Sequence, residues 1–175
     1  IERLHIQHGT SLCYPYSTMG AHVSVCPNHQ VGRTTPIKMR GNVALPGQFG
    51  FELDLAKMSD EDIESAKELV KTYRELGPVF HRGDLYRIDS PENGKFTSMN
   101  FVSEDKQTIV LCRYVMKTSP SGVYKYTKLG GLQADATYID RATGKEYSGS
   151  VLMNIGVQWA YGRDYESEIK VFDLK

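Results

Sequence analysis

With 175 residues, 40% of them hydrophobic and 24% charged, the chain holds material for one ordinary domain, or for one small domain and part of another. Lys plus Arg (21) balances Asp plus Glu (21), no basic run interleaves with aromatics, and no segment nears the roughly 20 apolar residues of a membrane span, so neither nucleic acid nor a membrane is an expected partner. Cys13, Cys26 and Cys112 cannot all pair within the chain and form no CxxC, which points to free buried thiols and a reducing, cytoplasmic setting.

Residues 1–50 carry short apolar runs, "LHIQHGTSLCYP" and "GAHVSVCP", each closed by Pro, and then the breaker-rich "TTPIKMRGNVALPGQFGF". Buried strands at the edge of an α/β architecture are expected here. His22, Cys26 and His29, spaced four and three apart, would share one face of a helix and suggest zinc. However, Ala21, Val23 and Val25 alternate with His22, Ser24 and Cys26, a period of two, and Pro27 cannot continue a ladder. On a strand the three side chains would spread over roughly 20 Å at about 3.3 Å per residue, whereas tetrahedral zinc needs all of them about 2 Å from one point. No metal is therefore expected. Two uses remain open: His22 and Cys26 as satisfied core groups, or Asn28, His29 and Gln30 as substrate-binding residues at the C-terminal rim of a barrel strand, where eight-stranded α/β barrels build their active sites.

In "ELDL", Glu52 and Asp54 would lie about 7 Å apart on one strand face. A pair from one segment leaves no room for a sugar between them, and an ordinary loop or cap is the expected use. Ser59 is an N-cap, and Asp60, Glu61 and Asp62 suit the positive end of a helix dipole. Ile63, Ala66, Val70, Tyr73 and Leu76 then mark one buried stripe, so a helix is predicted over 60–76, stopped by Gly77 and Pro78.

From Gly83 the helical period vanishes. "FTSMNFVS", "QTIVLCRYVMK", "GVYKYTKL", "DATYIDR", "KEYSGSVLM" and "ESEIKVFDL" read as strands between the turns "SPENGK", "SEDK", "SPSG", "GGLQ" and "RATGK". Seven or eight short strands with local connections predict an antiparallel two-layer sandwich over 84–175. "KLGGL" lacks the Lys-Ser/Thr and the helix of a phosphate loop. Trp159 and Tyr161 could stack on a sugar ring, although core packing is the commoner use, and packing within strands accounts for Tyr124, Tyr126 and Tyr138.

Three denser patterns remain: "IERL.IQ.GTS..YP" at 1–15, "MGAHVS..PNHQ..R" at 19–33 and "RGNVAL.G.FGFELDL" at 40–55. Together they closely resemble the stretch that follows the catalytic acid in bacterial α-galactosidases of glycoside hydrolase family 36. Looser agreement continues through "GDLYRI" (83–88), "FVSEDK" (101–106) and "VLMNIG" (151–156). The resemblance implies an α/β plus all-β chain: the last strands and a helix of a (β/α)8 barrel over 1–80, and a C-terminal antiparallel β-sandwich over 81–175. It further implies retaining hydrolysis of terminal α-galactosides such as melibiose and raffinose, with no cofactor, in a parent polypeptide that is a homo-oligomer.

Neither of the family's catalytic aspartates has a match. Asp54 and Asp84 lack the nucleophile's context, and the acid/base would fall just upstream of Ile1, so the chain is expected to be a fragment that does not turn over galactosides alone. Residues 1–50, as part of an incomplete barrel, would leave apolar surface for the rest of the parent chain or another chain to cover. Two other functions stay open: a galactosyltransferase of the raffinose-synthase type, and a free-standing β-sandwich carbohydrate-binding module, which would need a row of surface aromatics.

Overall fold

The computed structural model describes residues 1–120 and 124–175. Gly122 and Val123 of the predicted strand "GVYKYTKL", and Ser121 and Gly122 of the predicted turn "SPSG", lie outside the described residues.

The first run, expected as a strand, is helix α1 (Glu2–Thr10). Its buried residues, Leu4 and Gln7, are three apart, which is a helical and not a strand period, and the intervening Ile6 stands in solvent. Strand β1 (Gly20–Ser24) follows the expected alternation, with Ala21 and Val23 fully buried. The breaker-rich segment corrects a second expectation. Its first part is helix α2 (Ile37–Ala44), entered through Pro36, where a missing N–H costs nothing, and only its end is a strand, β2 (Gln48–Glu52). Strands β1 and β2 pair in parallel, Gly20 opposite Gln48 through Ser24 opposite Glu52. Gly41 allows the close approach of α2 to the next helix, since a Cβ there would lie 2.3 Å from Leu69 Cδ1.

Helix α3 (Asp60–Arg82) starts as expected, with Ser59 Oγ accepting from the Asp62 N–H at 3.2 Å. It does not stop at Gly77 and Pro78 but runs six residues further. A proline inside a helix costs roughly 3 kcal/mol, yet Pro78 is exposed, and Leu76, Val79 and Phe80 around it are buried against the sheet. Burying side chains of this kind contributes about 1.5–3 kcal/mol each, enough to carry the helix through.

Among the described residues eight strands follow: β3 (Asp84–Asp89), β4 (Phe96–Val102), β5 (Thr108–Val115), β6 (Tyr124–Thr127), β7 (Thr137–Asp140), β8 (Glu146–Ser148), β9 (Val157–Ala160) and β10 (Ser167–Leu174). Six form an antiparallel sheet in the order β3-β4-β5-β10-β7-β8, and β6 pairs with β9 in a second layer. The segment "KEYSGSVLM" is only half strand. Ser148 ends β8 and caps helix α4 (Gly149–Asn154), its Oγ accepting from the Val151 N–H, so that Leu152 is fully buried.

Central β5 is buried on both faces. Ile109 and Leu111 pack with Leu129, Leu152 and Val157 on the β6–β9 side, while Val110, Cys112 and Tyr114 join Leu4, Tyr16, Met39, Leu69 and Phe80 on the α3 side. The N-terminal third thus shares a core with the sheet. Polar contacts repeat the connection: Arg87 donates to the Ser11 carbonyl and hydroxyl, and Arg141 bridges Glu75 of α3 and Asp173 of β10.

Two expectations about single residues fail here. Only Cys112 of the three free thiols is buried, Cys13 being exposed and Cys26 half-buried. Tyr138 is a core residue, but Tyr124 and Tyr126 are exposed, because their alternate partners on β6, Lys125 and Thr127, take the inward positions.

Candidate functional site

Because β1 and β2 run in parallel, their C-terminal ends open at the same side. The chain leaves β1 through residues 25–36, and this connection, α1 and α2 enclose a cavity of about 140 Å³ lined by Glu2, His22, Cys26, Asn28, Arg33 and Arg40 among others. Local chemistry builds the rim. Asn28 Oδ1 accepts from the N–H groups of Gln30 (3.0 Å) and Val31 (3.1 Å), and Gly32, at φ 64°, closes the turn by donating to the Asn28 carbonyl at 2.8 Å. Such a side-chain-closed turn is the usual work of Asn in a loop. From α2, Arg40 donates Nη1 to the Ser24 carbonyl and Nε to that of Thr35 (3.0 Å), tying the loop to the helix.

Arg33 reaches back to α1, its Nη1 donating to both Glu2 oxygens at 2.7 and 2.8 Å. Those hydrogen bonds, helped by the backbone N–H of Glu2 itself, hold the Glu2 carboxyl down at about 2. The cavity therefore presents guanidinium, imidazole, thiol and amide groups, with its carboxylate already paired. It can bind or orient hydroxyl groups. It cannot supply the two separate carboxylates that glycosyl transfer with retention requires.

Of the expected rim residues, Asn28 lines the cavity, while His29 and Gln30 project from the exposed part of the turn. Glu52 ends β2 in solvent, and Asp54 is a cap whose Oδ1 accepts from the Ala56 N–H at 3.1 Å. His22 and Cys26 share the cavity but His29 does not, and among the described residues no three His, Cys, Asp or Glu side chains converge. Trp159 and Tyr161 are buried, Trp159 with the Arg113 guanidinium 5.0 Å from its ring centre. Arg33, Arg40 and Glu2 escaped the sequence reading of the site. Arg33 stands inside a quoted motif, but nothing short-range pairs it with a glutamate 31 residues earlier.

The build of this chain, a parallel strand pair with helices leading into an antiparallel two-layer sheet, is matched piece by piece among carbohydrate-cleaving enzymes. Residues 1–83 match the family model Melibiase, and residues 96–172 match the model "Glycosyl hydrolase family 36 C-terminal domain". Together the two models show that the chain belongs to glycoside hydrolase family 36, with that family's C-terminal domain over residues 96–172. It is 38% identical over 170 residues to the probable alpha-galactosidase G of Aspergillus terreus, covering 97% of this chain and 23% of that protein. It is likewise 38% identical over 161 residues to alpha-galactosidase AgaA of Geobacillus stearothermophilus, covering 92% of this chain and 22% of that one. The solved galactosidase domain of the alpha-galactosidase-sucrose kinase AgaSK superposes with a TM-score of 0.95 at 35% identity, over 99% of this chain and 24% of that one. An AgaA variant solved in complex with raffinose gives the same TM-score at 36% identity, over 99% of this chain and 24% of that one. The chain thus spans about a quarter of the length of these relatives.

Proposed function

We propose that the polypeptide carrying this chain is a retaining α-galactosidase acting on terminal α-galactosides of the melibiose and raffinose type. In this reading, residues 1–80 are the last two strands and closing helix of its (β/α)8 barrel, and residues 81–175 are its C-terminal sandwich. The observation that carries it is the parallel pairing of β1 and β2 across a connection containing α2, with α3 following, the repeat from which such barrels are built. An apolar groove of about 590 Å³ along α3, lined by Phe51, Leu55, Ile63 and Val70, supports a further element packing there. So do the apolar side chains of Ile6, Leu12, Tyr14, Val25 and Val31, which stand in solvent.

Retention needs a nucleophile and an acid/base about 5–5.5 Å apart. At the rim of this chain Glu2 is held by Arg33, Asp54 is a cap and Glu52 faces solvent. We therefore assign both catalytic carboxylates to other parts of the polypeptide, and to Asn28, His29 and Gln30 a role in shaping the mouth through which galactoside enters. The natural partners are the remainder of the polypeptide and a second copy of it, and the three free thiols suit a cytoplasmic setting.

The test is the stereochemistry of the first product. Proton NMR of raffinose cleavage by the whole polypeptide should show α-galactose before mutarotation. First appearance of the β-anomer, or transfer to an added sugar acceptor without hydrolysis, would overturn the assignment.

A further inference from the structure

The connection from β1 to α2, residues 25–36, contains neither helix nor strand, yet polar contacts fix its course. Arg40 closes the base, its Nη1 and Nε donating to the carbonyls of Ser24 and Thr35 at the two ends of the loop. The tip is a turn in which the Asn28 N–H donates to the Arg33 carbonyl at 2.9 Å and the Gly32 N–H to that of Asn28 at 2.8 Å. His29 and Gln30 ride on this turn, and Arg33 is its stem. The Arg33 guanidinium then ties the stem to α1, its Nη1 donating to both Glu2 oxygens.

What this fork governs is narrower than the fold. The Glu2 side chain keeps 68% and that of Arg33 33% of its exposure, and ion pairs so open to water add little to global stability. None of residues 25–36 is buried within the chain, so polar contacts and not apolar packing decide where the loop stands. Without the fork, the base held by Arg40 would remain while the turn above it could swing. That turn lies beyond the C-terminal ends of the parallel pair β1 and β2, the end at which α/β barrels receive their ligands.

We propose that Arg33 is a positioning residue for galactoside binding: clamped by Glu2, it holds the Asn28 turn, and with it His29 and Gln30, in place before the sugar arrives. The proposal rests on the reading of this rim as the mouth of an α-galactosidase and adds the residue that sets its affinity. A loop ordered in advance spares binding the entropy of ordering it. Loosening the fork moves that cost into binding, equally for substrate and transition state, so KM rises while kcat holds.

Steady-state kinetics of the whole polypeptide on raffinose test it. Arg33→Gln should raise KM roughly tenfold while kcat changes by less than about twofold and thermal melting stays where it was. The exchange Glu2→Arg/Arg33→Glu, which rebuilds the fork with its charges reversed, should recover most of KM, and Arg33→Glu alone, set against Glu2, should bind most weakly. If Arg33→Gln does not fold, Glu2→Gln removes the same contact from the other side and provides the comparison. Unchanged KM in folded variants would overturn the proposal. So would a raised KM that the exchange does not recover, which would mean that Arg33 itself touches the sugar, or a joint fall of kcat and melting temperature, the mark of a merely structural contact. No turnover by the unaltered polypeptide would overturn the reading on which the proposal rests, and the proposal with it, so the two failures are told apart.

Discussion

The hydroxyl of Tyr114 donates a hydrogen bond of 2.9 Å to the carbonyl of Asn42, 72 residues earlier in the chain. Asn42 lies in the last turn of α2, where a helix leaves carbonyls without partners of its own, and its side-chain amide donates in turn to Ser167 Oγ at 3.0 Å. Burial, with Cys112 and Tyr16 nearby, pushes the Tyr114 phenol well above its ordinary range, so it remains a donor. The N-terminal third is thus joined to the sheet by directed bonds as well as by apolar packing.

Replacing Tyr114 by Phe keeps the ring and strands that carbonyl. We expect a loss of about 1–2 kcal/mol in urea unfolding, the scale of leaving one buried acceptor unsatisfied. An unchanged midpoint would mean that the bond adds nothing to the attachment.

Arg113 is buried on β5, held by Glu168 through Nε and Nη2 and by the Val157 carbonyl through Nη1. Glu168→Gln removes the countercharge and leaves the guanidinium in the interior. The expected cost is about 3 kcal/mol, the low end for breaking a buried pair because Glu168 keeps 31% of its exposure. The pair Arg113→Met with Glu168→Gln should recover most of the loss in a double-mutant cycle.

Gly77 is buried inside α3, and a Cβ there would meet its nearest neighbour, Tyr73 Cε2, at 3.9 Å, an ordinary contact. Gly77→Ala should therefore stabilise the chain by about 0.5–1 kcal/mol through reduced freedom of the unfolded state. Had the residue ended the helix in the left-handed conformation, the same change would destabilise, so the sign of the thermal shift separates the two geometries.

Arg33 holds the Glu2 carboxyl at about 2, against its ordinary 4.5. Between those values the unfolded chain binds the extra proton, so the contribution of this contact is complete above the ordinary value and disappears as pH falls through about 2. Carbon NMR of the Glu2 carboxyl should show the low midpoint, and Arg33→Gln should return it toward the usual range. A midpoint near 4.5 in the unaltered chain would show that the fork does not persist in solution.

Local chemistry made some elements legible from the residues alone. Ser59 and the three acids after it mark the start of α3, alternation marks β1, and Asn93 caps its own turn by accepting from the Lys95 and Phe96 N–H groups. What escaped was decided at long range. The end of α3 depends on Phe80 packing against Phe101, at 5.1 Å between ring centres, which outweighs a proline that reads as a stop. Helix α1 hides its period because only Leu4 and Gln7 are buried. At the rim, the turn of Asn28 could be foreseen, whereas Arg40 reaches back 16 residues to the Ser24 carbonyl through the placement of α2. The exposure of Tyr124 and Tyr126 could not be read from alternation either, since a period of two does not say which face turns inward.

Hydrolysis of nitrophenyl α-galactoside, measured side by side for the whole polypeptide and for the 175-residue chain purified free of it, tests the central claim most directly. The account predicts turnover by the whole polypeptide and none by the chain. Turnover by the chain alone, or none by the whole polypeptide, would contradict it.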